Sequence, residues 1–290
     1  MLQKISASFL MLGIRAFALV PFWLLYLLSD GLYFVFFYVI KYRYRIIKNN
    51  VEKSFPEYTE KEVKTLIKKI YRNLCDILLE GIKGLTMSAS ELKRRYKLSG
   101  MEEVESFLIQ NRSAIMCGAH YANWEWLTVS GNLWFKVPLV GIYKVIKNPY
   151  IEQFMVSLRG QRGLELAPTS QMRQALQKFE NQSVIYLLVC DQSPSNLKSA
   201  YQIDFFNQKT AWLHGADSIA RTNDFPVFYY NIQRVKRGFY EATVEPLCLQ
   251  PKETTEGEIM QKYVTKLEQI IKNNPSDWLW SHKRWKHRLD

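Results

Sequence analysis

The sequence predicts an α/β fold, a central mixed sheet flanked by helices, behind an N-terminal helical membrane-anchor region. Three observations carry this expectation. From residue 113 onward, short apolar runs alternate with segments of helical periodicity, the pattern of a sheet covered by helices. Ahead of them, residues 9–40 read FLMLGIRAFALVPFWLLYLLSDGLYFVFFYVI, with only Arg15 and Asp30 charged. The composition, 48% hydrophobic and 23% charged over 290 residues, excludes intrinsic disorder and is enough for one large domain or two small ones. The expected division is a membrane anchor with a basic juxtamembrane segment over 1–56 and a second domain over 57–290.

The N-terminal stretch is the least ordinary part. Residues 16–28 alone are too short to cross a bilayer, which takes about 20 residues, and a longer span would carry Asp30 near its middle at a cost. The segment therefore either spans or lies in a membrane, and a buried helical hairpin is the alternative. No A-x-A-like site comes after it, so no cleaved signal peptide is expected. Lys41, Arg43, Arg45, Lys48 and Lys53, opposed only by Glu52, place the domain C-terminal to them on the cytoplasmic side and suit anionic headgroups.

The run SFPEYT (54–59) breaks this region from the next. Thr59 and Glu62 form a capping box that starts a helix over 60–84, with Val63, Ile67, Ile70, Leu74, Ile77 and Leu78 at helical spacing. Residues 96–100 read as a link and 101–111 as a helix. AIMCGA is a short buried strand, 123–133 a helix and VPLVGIY a strand. Residues 149–159 form a helix capped by Asn148 with Pro149 at its first position. A helix over 170–179, the strand SVIYLLVC and a helix over 211–221 come next. VFYYNIQRV and FYEATVEPL are strands joined through Lys236-Arg237-Gly238, and 256–273 is an amphipathic helix.

Charge narrows the partners. Lys and Arg number 39 against 27 Asp and Glu, a net +12 that calls for an anionic partner: nucleic acid, a membrane surface, or an acidic protein or phosphorylated substrate. No RNA-recognition, helix-turn-helix or zinc-finger pattern accompanies it, so no nucleic acid is expected. Cys75, Cys117, Cys190 and Cys248 are far apart, lie in apolar runs and form no CxxC pair. They read as buried free thiols rather than metal ligands or a disulfide framework.

One constellation carries chemistry: Gly118-Ala119-His120-Tyr121-Ala122-Asn123-Trp124-Glu125, where a buried strand ends and a helix begins. Reactive groups of α/β folds gather at such strand ends. With His120 in the turn and Glu125 in the helix's first turn, the two can meet. A carboxylate on one imidazole nitrogen fixes the tautomer and leaves the other free to take a proton from a hydroxyl. A histidine that merely caps the strand is the plainer alternative. No HExxH and no G-x-S-x-G is present, so no metal site and no hydrolase triad are expected. Arg159 falls at a helix C-terminus, where a cation is favourable in any case. Asp191 ends a buried strand and needs a partner, with Arg159 one candidate and substrate the other. Asn148 is mainly a helix cap. His214 matches no catalytic position, and His282 and His287 sit in a basic aromatic tail. There Trp278, Trp280 and Trp285 either dock the tail on the core or anchor it at an interface.

HYANWE resembles the H-x4-D/E motif of glycerolipid acyltransferases, and its H-x-x-N-W-E form is similar to the lipid A biosynthesis (lauroyl/myristoyl) acyltransferase family. Lys147-Asn148-Pro149 with Arg159 and Gly163, Asp191-Gln192, Phe205-Phe206 with Ala211, Pro226-Val227, WLWSHKRW (278–285) and SFPE (54–57) match that family in order along nearly the whole chain. Asn207 stands where the family carries Gly. The resemblance implies transfer of a fatty acyl group from acyl carrier protein, or coenzyme A, to a hydroxyl of a lipid A precursor at the cytoplasmic face of the inner membrane. It implies no cofactor beyond that donor, and direct attack with His120 as general base and Glu125 as its partner. Arg159, Asn148 and Asp191 become substrate-binding candidates, with Arg159 on a phosphate or at the reaction centre. Acyl carrier protein, the lipid A precursor and anionic inner-membrane lipids are the implied partners. An acceptor of another class, a lysophospholipid, aminolipid or other glycolipid, is the alternative.

Overall fold

The computed structural model describes residues 2–287, with side chains from residue 8 onward except at 10 and 18. Arg288, part of the expected basic tail, lies outside the described residues. The chain starts with α1 (Leu2–Ala18) and α2 (Phe22–Phe34), continues through a π-helical turn (Val35–Val39) to α3 (Tyr44–Ser54), and then enters α4 (Glu60–Gly84). The α4 capping box forms as the sequence dictates: Thr59 Oγ1 accepts from the Glu62 N–H, and the Glu62 carboxylate accepts from the Thr59 N–H at 2.8 Å.

The α/β part continues as α5 (Ala89–Arg95), β1 (Tyr96–Ser99), α6 (Glu102–Ile109), β2 (Ala114–Gly118), α7 (Trp124–Ser130), β3 (Leu139–Tyr143), α8 (Pro149–Gly160), β4 (Leu164–Pro168), α9 (Met172–Lys178), β5 (Ile185–Val189), β6 (Tyr201–Phe205), β7 (Gln208–Trp212), α10 (Gly215–Asn223), β8 (Val227–Lys236), β9 (Phe239–Cys248) and α11 (Glu258–Asn273). Seven strands form one mixed sheet in the order β1-β9-β8-β2-β5-β3-β4, antiparallel only between β8 and β9. Its centre, β2 beside β5, is buried on both faces, as the unbroken apolar runs require. All four cysteines are buried.

Two expectations are corrected. The helix foreseen over 211–221 begins only at Gly215, because Ala211 and Trp212 finish β7. The β6–β7 hairpin turns at Phe206 and Asn207, both left-handed (φ 51° and 55°), the geometry a two-residue hairpin turn needs and one Asn tolerates. The link foreseen at 96–100 contains β1, an edge strand too short to announce itself by alternation.

Among the described residues, the N-terminal helices form no buried hairpin. Leu25, Ser29 and Tyr33, one stripe of α2, are buried, and α2 packs along α4. Polar bonds clamp its middle: Ser29 Oγ donates to Asp76 (2.6 Å), the Tyr26 hydroxyl donates to Glu80 (3.0 Å), and Asp30 pairs with Arg237 (2.7 Å). The charge that would burden a spanning helix thus has a cation of the α/β domain beside it. The outer face, with Trp23, Leu27, Leu28, Phe34, Val39 and Ile40, is exposed. Phe22–Val39 is long and apolar enough to cross a membrane by length and composition alone.

Close approach of α4 and α7 depends on one glycine. A Cβ on Gly84 would lie 2.5 Å from Trp126 Cδ1, inside contact distance of a fully buried ring. Gly84→Ala therefore forces the two helices apart and costs about 1–3 kcal/mol in denaturant unfolding. An unchanged midpoint would show that Trp126 yields freely.

Candidate active site

The parallel pairing of β2 with β5, in register at Gly118 and Val189, places the residues just beyond both strands side by side. His120 stands at one strand end and Asp191 at the other. The His120 backbone N–H donates to Asp191 Oδ2 (3.0 Å), and His120 Nδ1 lies 2.6 Å from Asp191 Oδ1. A carboxylate there fixes the proton on Nδ1 and leaves the lone pair on Nε2. Gln192 fills that acceptor position, its amide nitrogen 3.2 Å from Nε2. Trp124 packs edge-on against the imidazole, ring centres 5.1 Å apart.

The turn that carries His120 is clasped by the C-terminal tail. Ala122 takes a left-handed φ of 47° and its N–H donates to the Asp277 carbonyl (2.9 Å), while the Leu279 N–H donates to the His120 carbonyl (3.0 Å). Trp278 Nε1–H donates to Asp191 Oδ2 at 2.9 Å. Trp278 and Trp280 are buried, which excludes the interfacial-anchor reading for both, and Trp285 bonds Thr210. Arg284, part of the basic tail, is buried over the Trp212 ring. Trp278 is thus a site residue that sequence reasoning did not select; only its indole N–H among apolar neighbours hinted that it needed an acceptor.

The expected pairing of acids and bases is exchanged. Glu125 does not orient His120: both its oxygens accept from Arg159 Nη2, at 3.0 and 2.9 Å. Asp191, considered for Arg159, holds the histidine instead. The reason is local. The left-handed residue at 122 turns the chain before α7 starts, so Glu125, second in that helix, packs beside Gly81 of α4 and faces α8. Arg159 reaches it from the last turn of α8. Asn148 lies at the other end of α8, about 16 Å away at 1.5 Å per residue, where its side chain caps the helix by accepting from the Tyr150 and Ile151 N–H groups. The structure does not bring it to the other candidates.

Glu125, Arg159 and Gln192 line a cavity of ≈ 530 Å³, within the usual range of about 300–1,000 Å³ for ligand pockets. One wall is the apolar face of α4, with Leu74, Ile77, Leu78 and Ile82, continued by Leu85 just past its end; Arg43 and His282 also contribute. Arg159 Nε, buried and without a hydrogen-bond partner among the described residues, leaves donor capacity at this charged end.

A family model described as bacterial lipid A biosynthesis acyltransferase matches residues 1–287. The chain belongs to that family. Among curated proteins it is similar to the lipid A biosynthesis lauroyltransferase of Escherichia coli (strain K12), 25% identical over 275 residues that cover 92% of this chain and 87% of that protein. The lipid A biosynthesis palmitoleoyltransferase of the same organism and the lipid A biosynthesis acyltransferase of Shigella flexneri are each 19% identical over 251 residues, 86% of this chain and 80% of theirs.

For an acyltransferase the electrostatics of this strand-end pair matter directly. Burial pushes the His120 pKa down, but the Asp191 carboxylate, with a smaller pull from Glu125, overcomes this and leaves it above 6.5. Burial alone would raise the Asp191 carboxyl; the His120 charge and the bonds from His120 and Trp278 hold it below 3.8. His282, in the tail read from sequence as basic and aromatic, solvated or interfacial, is half-buried with Nε2 accepting the Ser193 N–H (3.2 Å), and burial lowers its pKa from 6.5 to about 4. The native state thus keeps His282 neutral where the unfolded chain binds a proton. Its stability contribution is complete above pH 6.5 and is lost as pH falls toward about 4. His282→Gln, which keeps an acceptor for Ser193, should lose less thermal stability than the native acyltransferase between those two pH values. An identical loss would contradict this.

Proposed function

We propose that this acyltransferase moves a fatty acyl group from a thioester, carried by acyl carrier protein or coenzyme A, to a hydroxyl of a lipid A precursor by direct attack in a ternary complex. The observation that carries the reading is the cavity in which an apolar wall meets the Glu125–Arg159 pair and Gln192, the residue seated on the His120 lone pair. His120 Nε2 takes the proton of the acceptor hydroxyl once that hydroxyl displaces the Gln192 amide. The oxygen attacks the thioester carbonyl, and the carbonyl oxygen gains the charge. Arg159, steadied by Glu125, supplies donors to that oxyanion; one such preorganised donor is worth about 10²–10³ in kcat. The tetrahedral intermediate expels the thiolate, and the imidazolium returns its proton to the sulfur. The apolar wall of α4 receives the acyl chain, and Arg43 suits a phosphate of the acceptor.

The site works at a membrane in this reading. The exposed apolar face of α2 and the exposed Lys41, Arg43, Arg45, Lys48 and Lys53 enter an anionic cytoplasmic leaflet together. Because the middle of α2 is bonded to α4 and Arg237, the helix lies along the leaflet rather than crossing it. The test mixes purified protein, a defined acyl thioester and either a lipid A precursor or a lysophospholipid, with products weighed by mass spectrometry. One added acyl mass on the lipid A precursor supports the reading. No added mass contradicts it, and transfer only to lysophospholipid replaces the acceptor.

A further inference from the structure

We infer that Glu80, a residue of α4 that touches none of the reacting groups, is a positioning residue that holds the α7 turn in its working place. The inference rests on the proposed role of the Glu125–Arg159 pair. The Glu80 side chain is wholly buried, and every group hydrogen-bonded to its carboxylate donates. Its Oε2 accepts from Asn123 Nδ2 (2.8 Å) and the Tyr240 hydroxyl (2.6 Å); its Oε1 accepts from the Tyr26 hydroxyl (3.0 Å), with Arg234 at 3.8 Å. A buried carboxylate costs several kcal/mol unless so surrounded, and an apolar side chain would fill the space without that penalty.

What distinguishes this carboxylate is the partner it holds. Asn123 is fully buried and is the N-cap of α7: its Oδ1 accepts from the Trp126 N–H (3.1 Å) while its amide donates to Glu80. The Glu80 carbonyl accepts from Trp126 Nε1 (2.8 Å). One residue of α4 thus grips the first turn of α7 twice, on either side of Glu125, whose stem rests on Gly81 in the next position. Asn123 lies three residues beyond His120 and two before Glu125, so a shift of this cap moves the oxyanion donors relative to the base. A displacement of about 1 Å in such a constellation costs about 10²-fold. Tyr26 ties the same carboxylate to α2, so the seating of the interfacial helix and of the catalytic turn share one anchor.

The decisive variant is Asn123→Ser. Serine remains a good N-cap for α7 but has no second donor for Glu80. Steady-state kinetics against thioester and acceptor should show kcat reduced about 10- to 100-fold, KM changed less than about 3-fold for both, and the acid limb of kcat/KM unmoved, since the His120–Asp191 pair makes no bond to Glu80. Glu80→Gln, which keeps an oxygen for Asn123, should retain kcat within about 3-fold, whereas Glu80→Ala should match Asn123→Ser. Should Glu80→Ala fail to fold, Asn123→Ser and Glu80→Gln decide the matter. A folded Asn123→Ser protein with undiminished kcat overturns the inference alone. Absence of transfer by the unmodified enzyme in the same assay overturns the underlying reading with it.

Discussion

His120→Gln lowers kcat by about 10²–10⁴ without unfolding the protein, the loss expected when a general base is removed and the rest of the site stays intact. Glutamine is the cleaner substitution. Asp191 is 3% exposed, and with alanine at 120 its carboxylate keeps only the indole N–H of Trp278 and the backbone N–H of residue 120. A buried charge robbed of its partner destabilises by about 3–5 kcal/mol, so His120→Ala mixes lost chemistry with lost stability. Glutamine offers a side-chain donor to Asp191 but no basic lone pair. Thermal unfolding within a few degrees of the parent, together with the kinetic loss, is the expected pair of results. Transfer at the native rate would remove His120 from the mechanism.

Asp191→Asn should be nearly as damaging, for a reason the geometry makes explicit. Oδ2 of Asp191 faces two donors, the His120 N–H and the Trp278 indole, so an amide placed there puts its oxygen toward them. The NH2 group then faces His120 Nδ1 and can bond only a ring nitrogen that carries no proton. The tautomer flips, Nε2 becomes protonated, and the site has no base; an equivalent flip in serine proteases costs about 10⁴ in kcat. Glu125→Gln leaves the tautomer alone and weakens the hold on Arg159. Its loss should be nearer the roughly 10²–10³ of an oxyanion donor, borne by kcat with only a small downward shift in pH dependence. Equal pH behaviour in the two variants would contradict this division of labour.

The fold was largely legible because the chain states it locally. The capping box at Thr59 and Glu62, the proline at the start of α8 and the unbroken apolar runs of β2 and β5 each leave few alternatives. Short edge elements were not legible: β1 and the β6–β7 hairpin are settled by neighbours and by a left-handed turn at Phe206-Asn207 that no local pattern announces. At the site, His120 meets Asp191 and Glu125 meets Arg159, a pairing the sequence did not reveal. His120, Glu125, Arg159 and Asp191 stand at strand ends and helix ends where chemistry collects. Which acid meets which base depends on the register of β2 against β5 and on the left-handed backbone at Ala122, both properties of the folded chain. Trp278 and Glu80 stayed hidden for the same reason, since each reaches its partner from far away in the sequence. The net charge of +12 proved divisible: the cations of α3 stay exposed, while Arg234 and Arg284 are held inside the protein.

The central claim, that Asp191 and not Glu125 makes His120 a base, is tested most directly by following the His120 ring nitrogens by NMR across a pH titration in the parent, Glu125→Gln and Asp191→Asn proteins. The account predicts a proton on Nδ1 and a pKa above 6.5 in the parent, the same tautomer with most of that elevation kept in Glu125→Gln, and both lost in Asp191→Asn. A tautomer and pKa that survive in Asp191→Asn and collapse in Glu125→Gln would contradict it.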